Sequence, residues 1–431
     1  MNKSKGLLPK MSAKVISLLA NKKKVYIAYS GGVDSHVLLH LLVQIRKEIR
    51  GLQLTAVHIN HGLSINAKAW EKHCTQACKD LSVSYLVKNV DAKQKIVDNS
   101  PEEIARNLRY KVFAEILPRN AVIMTAHQAD DQVETLLLQL FRGAGPKGLA
   151  AMPITMKFAK GWLLRPLLSF SRDEILRYAM EYKLNWLEDE SNSNIKFPRN
   201  LLRQRLMPLI KKNWPGVVTT LHRVANNCAC ANELLESLAT EDLEKVKGRT
   251  KDTISMQQLK KLTLARQNNV LRFWLTNLKL PIPSRAKLQE VIRAVVHARS
   301  DAVPVVKWRG AEVRRFQGRL YAMTPLLPHD NQVVLRYYLH RPLKLPGDLG
   351  VLHVKTSEKF KAKMFTVKFR QGGEELKLGK REGTRKLKKL MQVWQIPPWL
   401  RERVPLIYHN KKIIAVVGYY NISGVQPYFV N

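Results

Sequence analysis

The pattern of apolar and polar positions gives the chain two textures. Over roughly the first 200 residues, short apolar runs alternate with longer stretches whose apolar residues return every three or four positions. Val25-Tyr26-Ile27-Ala28-Tyr29 is the first run and leads into a glycine pair. Val37, Leu38, Leu41, Leu42 and Ile45 then follow at helical spacing. Further strand patterns cover Leu54 to Ile59, Val83 to Val87 and Ala121 to Thr125, with helical stretches between them. Ser100-Pro101-Glu102-Glu103 predicts a capped helix start with proline in the first turn. Ser171 and Glu174 repeat the capping pattern before Ile175, Leu176 and Tyr178. Alternating strands and helices imply an α/β domain built on a parallel sheet covered on both faces. Ligands of such sheets bind beyond the carboxyl ends of the strands.

From about Gly216 the texture changes. Val217 to Val246 reads as one long helix, and most of Ile254 to Ala298 is helical as well, including Gln267 to Leu278 and Arg285 to Val296. Short strand patterns follow at Val305 to Trp308 and Leu320 to Ala322. Pro325, Pro328, Pro342 and Pro346 mark a linker region. Beyond it, Val367 to Phe369 and Ile413 to Val417 are strand-like, and Thr384 to Trp394 predicts a basic helix. The expectation is an α/β domain over 1–215, a mainly helical central domain over 216–330 and a small α+β domain over 350–431. No internal repeat is visible.

Charge sharpens this picture. The 431 residues include 73 Lys and Arg against 34 Asp and Glu, a formal net charge of +39. Such an excess suits a polyanion: phosphate backbones attract Lys and Arg through counterion release, and a basic surface speeds encounter. Nucleic acid is therefore the expected partner, ahead of a membrane surface. The four cysteines, Cys74, Cys78, Cys228 and Cys230, lack paired C-x-x-C spacing, which argues against a zinc ribbon; they read as buried or idle thiols in helices. The apolar stretch Val15 to Ala20 is too short for a secretory signal, and no run approaches the ~20 residues of a membrane span. A cytoplasmic location is expected, with no membrane association.

The candidate chemistry begins at Ser30-Gly31-Gly32-Val33-Asp34-Ser35. A loop leaving a strand and entering a helix presents free backbone N–H groups to an anion. Gly31 and Gly32 allow a tight turn and close phosphate approach, Ser30 and Ser35 add hydroxyl donors, and Asp34 suits a divalent cation bridging to the phosphate. A plain glycine turn with a helix cap is the alternative reading. No G-x-x-x-x-G-K-[ST] and no G-x-G-x-x-G occurs, which removes the two commonest nucleotide loops. In this loop the chain resembles the PP-loop ATP pyrophosphatases, which cleave ATP between the α and β phosphates and form an adenylated intermediate.

Four further segments narrow the resemblance: His58-Ile59-Asn60-His61-Gly62-Leu63; Thr125-Ala126-His127-Gln128-Ala129-Asp130-Asp131-Gln132-Val133-Glu134-Thr135; Arg165-Pro166-Leu167-Leu168; and Asp189-Glu190-Ser191-Asn192 followed by Arg199-Asn200 and Arg203. In this order they are similar to the bacterial tRNA(Ile)-lysidine synthetase family. Lys386 to Leu390, Ile396 to Arg401 and Pro405 to Ile407 resemble that family's last domain, so the likeness runs along the whole chain. Two positions depart from common forms of the pattern: Gln128 stands where many members have a second histidine, and Ser64 where many have arginine.

The resemblance implies a PP-loop, Rossmann-like N-terminal domain and an ATP-dependent carbon–nitrogen ligase. Its substrate would be the wobble cytidine of a tRNA(Ile) with a CAU anticodon, adenylated at carbon 2 and then attacked by free L-lysine, with AMP and pyrophosphate released. The resulting lysidine switches codon reading from AUG to AUA. ATP would contact Ser30 to Ser35 and His58. Asp131 and Glu134, three apart on a predicted helix, would hold the lysine ammonium. Asp34 and Arg199 would also serve catalysis, and Asp34 with Asp130 would hold magnesium, although Asp130 could equally support the helix start. His61 and His127 fall at strand ends where substrate contacts or structural roles are both open. His36 and His40 lack the Glu of H-E-x-x-H and read as surface or packing residues. Arg165, Arg199 and Arg203 could stabilise phosphate charge or grip tRNA, Arg199 and Arg203 sharing a face if their segment is helical. Arg385, Lys386, Lys388 and Lys389 would contact the tRNA backbone, while Trp394 and Trp399 read as core. Arg266, Arg272 and Arg285 offer a second tRNA surface. The oligomeric state is left open, a homodimer included. The rivals are a base-thiolating PP-loop enzyme, disfavoured because C-x-x-C is missing; an amidotransferase-type ligase, for which no glutaminase domain is evident; and a non-catalytic tRNA-binding protein, which leaves the strand-end acids unexplained.

Overall fold

The computed structural model describes residues 6–20, 22–60, 66–90, 101–188, 197–299, 302–339, 341–357, 364–378 and 383–430. The Ser100 capping box, the His61 to Ser64 segment, Asp189 to Asn192 and the middle of the C-terminal basic run (379–382) lie outside the described residues. The chain forms two compact units, Met1–Leu235 and Glu236–Asn431.

The first unit holds six strands: β1 (Lys24–Ala28), β2 (Gln53–Asn60), β3 (Ser84–Asn89), β4 (Val122–Met124), β5 (Thr155–Phe158) and β6 (Gly161–Leu164). They lie in the order β3-β2-β1-β4-β6-β5. Every neighbouring pair is parallel except β5 with β6. The α/β parallel-sheet domain expected from the alternation is therefore present, with β5 and β6 as additions the pattern did not reveal. Side chains alternate across the sheet. Val25 and Ile27 of β1 and Val122 and Met124 of β4 face one core, with the helices α1 (Leu7–Leu19), α2 (Val33–Arg46), α3 (Ala67–Asp80) and α7 (Arg172–Glu181). Ile123 and Val57 face the other, against Phe113 and Leu117 at the end of α4 (Pro101–Ile116). Burial on both faces accounts for the continuous apolar runs.

The strand order reverses between β1 and β4, because the chain builds outward through β2 and β3 before returning to the far side of β1. A crevice at the carboxyl ends of two such strands is where open α/β sheets bind ligands. The glycine pair follows β1, and α5 (Ala129–Phe141) follows β4. After α6 (Pro146–Leu149) and α7, a basic helical segment runs as α8 (Pro198–Leu201), a π-helical turn (Leu202–Leu206) and α9 (Met207–Asn213). Leu202 and Met207 pack on Val133, Leu136 and Leu137 of α5, which fixes this segment along the α5 face. The Ser171 capping box forms as predicted: the Glu174 N–H donates to Ser171 Oγ at 3.3 Å, and the Ser171 N–H donates to the Glu174 carboxylate at 2.8 Å.

The long helix read from Val217 to Val246 is present as α10. The second unit carries the helices Leu264–Asn277 and Arg285–Glu290, the latter continuing as a π-helical turn to Val296. It also carries a four-stranded antiparallel sheet in which Thr253–Ser255, Arg319–Met323, Ala311–Phe316 and Val305–Trp308 are successive neighbours. Two expectations are corrected here. Ile254 lies in a strand rather than a helix, and Thr384–Lys386 is a strand paired with Glu375–Lys377, so the basic helix is only Leu387–Val393. The C-terminal part is strand-rich, with a five-stranded and a three-stranded sheet.

Candidate active site

The loop after β1 is drawn tight by its own side chains. The Ser30 N–H donates to Ser35 Oγ at 3.2 Å, Ser35 Oγ donates to the Gly32 carbonyl at 2.9 Å, and the Gly32 N–H reaches Ser30 Oγ at 3.4 Å. Gly31 has φ +86°, a left-handed conformation that glycine adopts without strain. A Cβ there would also meet Cys74 Sγ at 2.9 Å. Gly32 caps α2 in extended geometry without a side-chain partner, and Val33 opens the helix. The strand, the turn and the helix start thus occur together, as anion binding at a helix N-terminus requires.

Asp34 lies in the first turn of α2. Its Oδ1 is buried with no hydrogen-bond partner. Burial raises its carboxyl to about 6; Asp131 adds to the rise, while Arg172 and Arg203 pull it down. An ionisable oxygen kept dry and unpaired in the nucleotide crevice is a ready ligand for a hard cation.

The helix after β4 supplies the acids. Gln128 caps α5, its Oε1 accepting from the Asp130 N–H at 2.6 Å while its own N–H donates to Asp131 Oδ2 at 3.0 Å. The glutamine that departs from the common histidine pair thus has a structural task. Asp130 is engaged twice, accepting from Lys211 Nζ at 2.5 Å and from the Arg172 N–H at 2.9 Å. These two bonds tie α7 and α9 to α5 and show the helix-supporting role that was the alternative for Asp130.

Asp131 and Glu134 do come together, as the spacing predicted, but they enclose an arginine. Arg203 Nε donates to Glu134 Oε1 at 2.7 Å, and its Nη2 donates to Glu134 Oε2 and Asp131 Oδ1, both at 3.0 Å. Arg199 Nε stands 3.3 Å from Glu134 Oε2, and its Nη2 donates to Thr135 Oγ1 at 2.8 Å. Arg199 and Arg203 therefore share a face and converge on one carboxylate. Glu134 is 1% exposed. Burial pushes its carboxyl above the ordinary range against the pull of Arg203.

His36, His40 and His58 are buried and His127 is half-buried, and burial lowers the pKa of all four. His58 Nδ1 lies 3.1 Å from the Tyr29 carbonyl, which can only accept, so Nδ1 carries the proton; burial lowers its pKa. His127 lies 2.8 Å from Thr125 Oγ1 and is driven to about 3 by burial and by Arg165, Arg199, Arg106 and Arg109. Arg165 is 3% exposed and donates to the Pro153 carbonyl at 2.7 Å. His36 and His40 are packing rather than surface residues, bonded to the hydroxyls of Tyr29 and Tyr178 at 3.0 Å each. Burial pushes both Cys74 and Cys78 up to about 12, consistent with idle thiols.

Sequence reasoning missed Lys211, Arg172, Arg106 and Arg109. Lys211 follows Arg203 by eight residues in the same basic segment, a signal present in the spacing; the others are long-range neighbours with no local signature. In the second unit, Arg385, Lys386, Lys388 and Lys389 are all exposed, while Leu387, Leu390 and Met391 turn inward. Trp394 is half-buried and stacks on Tyr419 at 6.0 Å; half-buried Trp399 lies against Phe316 and Tyr321. Arg266 is bound to buried Asp242, whereas Arg272 and Arg285 are exposed.

A switch-point crevice, a glycine loop without a Walker lysine and an aspartate in the first helical turn together define a PP-loop protein, and the PP-loop domain family model matches residues 7–210. Two more models match farther on, the TilS substrate binding domain over 254–321 and the TilS substrate C-terminal domain over 365–425. The tRNA(Ile)-lysidine synthase of Coxiella burnetii is 42% identical over 97% of this chain and 94% of its own. That of Legionella pneumophila strain Lens is 40% identical over 95% and 94%, and that of Yersinia pseudotuberculosis strain IP 31758 is 38% identical over 95% and 94%. The chain belongs to the tRNA(Ile)-lysidine synthase family. No helix among the described residues is long and apolar enough to cross a membrane.

Proposed function

We propose that this protein joins free L-lysine to carbon 2 of the wobble cytidine in a tRNA(Ile) with a CAU anticodon, at the expense of ATP. The observation that carries the reading is the convergence, at one switch point, of a phosphate-cradling loop and an acidic pair, its glutamate buried, suited to an ammonium. The names of the relatives support it. ATP lies along Ser30 to Ser35, with His58 beside it. The carbonyl oxygen on carbon 2 attacks the α-phosphate, and pyrophosphate leaves. The lysine Nζ then bonds to carbon 2, and the oxygen departs with AMP.

Asp131 and Glu134 orient the lysine, and Glu134, whose carboxyl burial has raised, is placed to take the proton the ammonium loses before attack. Asp34, through its unpaired oxygen, would hold magnesium, which when bound would supply positive charge beside the phosphates. Arg199, beside Glu134, limits the charge of the acidic pair. Arg385, Lys386, Lys388 and Lys389 steer the tRNA backbone. The three-part division at 1–215, 216–330 and 350–431 and a cytoplasmic location belong to the same reading.

The test is transfer of label. With ATP, magnesium, labelled lysine and a tRNA pool, radioactivity enters RNA. Pyrophosphate release with no lysine in RNA overturns the assignment in favour of another acceptor.

A further inference from the structure

The acceptors that suit a lysine ammonium are all in use. Glu134 Oε1, Glu134 Oε2 and Asp131 Oδ1 each take a hydrogen bond from the Arg203 guanidinium, and Asp131 Oδ2 serves the helix cap. An ammonium has three donors and seeks the same set. The two cations compete for its negative charge. Asp131 and Glu134 supply two negative charges, and Arg199 and Arg203 already balance them. Adding lysine leaves one buried positive charge uncompensated, whereas exchanging lysine for Arg203 keeps the site neutral.

Arg203 is built to leave. Its side chain is 29% exposed although the glutamate beneath it is 2% exposed, so a path to solvent is open on the arginine side. It sits in a π-helical turn, Leu202–Leu206, a geometry with one residue more than an α-turn holds. Leu202 and Met207 remain packed on α5, so the segment need not undock. Arg203 also feels the charge of Asp34, which places its guanidinium near the phosphate-cradling loop.

We infer that Arg203 is an internal competitor for the amine substrate, holding the ammonium site closed until a phosphate anion draws the guanidinium away. This rests on reading Asp131 and Glu134 as the lysine site. The anion is a phosphate of the nucleotide or of the RNA; both offer the bidentate oxygens a guanidinium prefers. The consequence is order: lysine binds tightly only once the group it will attack has arrived.

The test is lysine binding to the full-length protein by equilibrium dialysis. Four conditions are compared: protein alone, with a non-hydrolysable ATP analogue and magnesium, with tRNA, and with both. In the wild type, lysine affinity rises about 10-fold with whichever anion relieves the block. In Arg203→Gln the affinity without anions is already raised by about that factor, and the anions add little. Arg203→Lys, which keeps the charge but loses the fork, falls between. Lysine binding that is equally tight with and without anions in the wild type overturns the inference without recourse to any variant. So does an Arg203→Gln protein of wild-type melting temperature that binds lysine no more tightly than wild type. Asp131→Asn and Glu134→Gln separate the two claims. If they bind lysine like the wild type, the lysine site itself is misassigned; if they lose it while Arg203→Gln gains nothing, only the competitor fails.

Discussion

The cations of the first unit and those of the second do different work. Arg199 and Arg203 are drawn onto Glu134 at 3.3 and 2.7 Å, Arg203 onto Asp131 at 3.0 Å and Lys211 onto Asp130 at 2.5 Å, all on one helix, and Glu134 is nearly dry. Arg385, Lys386, Lys388 and Lys389 stand in solvent on a short hairpin strand and the helix that follows. Buried pairs are little screened by salt, while exposed charges act over about 10 Å at 0.1 M ionic strength and less above it. The first group therefore shapes a site, and the second presents exposed charge of the kind a polyanion meets. A net charge of +39 points to a partner but not to where chemistry happens. In the active-site crevice the cations are paired with acids.

Substitutions can break this contrast from either side. The largest effect is expected at Asp34. Asp34→Ala should lower tRNA-dependent AMP formation about 10³-fold or more, because it removes the charge that organises the transferring phosphates, while a filter-binding assay finds tRNA affinity unchanged. Loss of both together points to misfolding. Glu134→Gln comes next. Lysine transfer should drop about 100-fold while pyrophosphate release persists, since the amine's partner is removed and the nucleotide loop is not. Gly31→Ala forces a side chain into left-handed backbone and against Cys74. It should cost about 1–3 kcal/mol in thermal or urea unfolding and weaken ATP binding.

The second unit should respond in a different currency. Alanine at Lys388 or Lys389 should flatten the slope of log affinity against log salt by about 0.7–1 per residue, with turnover at saturating tRNA unchanged. An unchanged salt slope would place the tRNA elsewhere. The mildest effect is on pH. Asp34 titrates at about 6 in the folded protein against 3.8 unperturbed. The folded state thus binds more protons between those values, and Asp34's contribution to stability falls as pH rises through that window. Magnesium binding to the free protein, which needs the ionised form, should tighten as pH rises through about 6, and Asp34→Asn should remove that dependence.

Much of this was legible in the chain because local signals and tertiary structure agree. Val25 to Ala28 is apolar on both sides of the strand since β1 is buried on both faces, and the Gly31-Gly32 turn follows it directly. Asp131 and Glu134 at three-residue spacing share a helix face wherever that helix packs. Ser171 with Glu174 forms its box from four consecutive residues. What was not legible depends on partners distant in sequence. Thr155–Phe158 is mostly exposed and carries no run of buried positions, so its edge strand was invisible. Thr384–Lys386 reads as helix by continuity with Leu387, and only pairing with Glu375–Lys377 makes it a strand. Spacing placed Arg199 and Arg203 on one face but could not say what that face meets, 64 to 72 residues back in the chain. The π-helical turn that aims Arg203 has no signature in propensity.

The central claim is that loop and acidic pair serve two halves of one reaction. The most direct measurement is the stoichiometry of a single incubation with doubly labelled ATP, labelled lysine and a transcript of the CAU-anticodon tRNA(Ile). The account predicts AMP, pyrophosphate and tRNA-bound lysine in equal molar amounts. ADP and phosphate, or AMP and pyrophosphate with no lysine on the RNA, would contradict it.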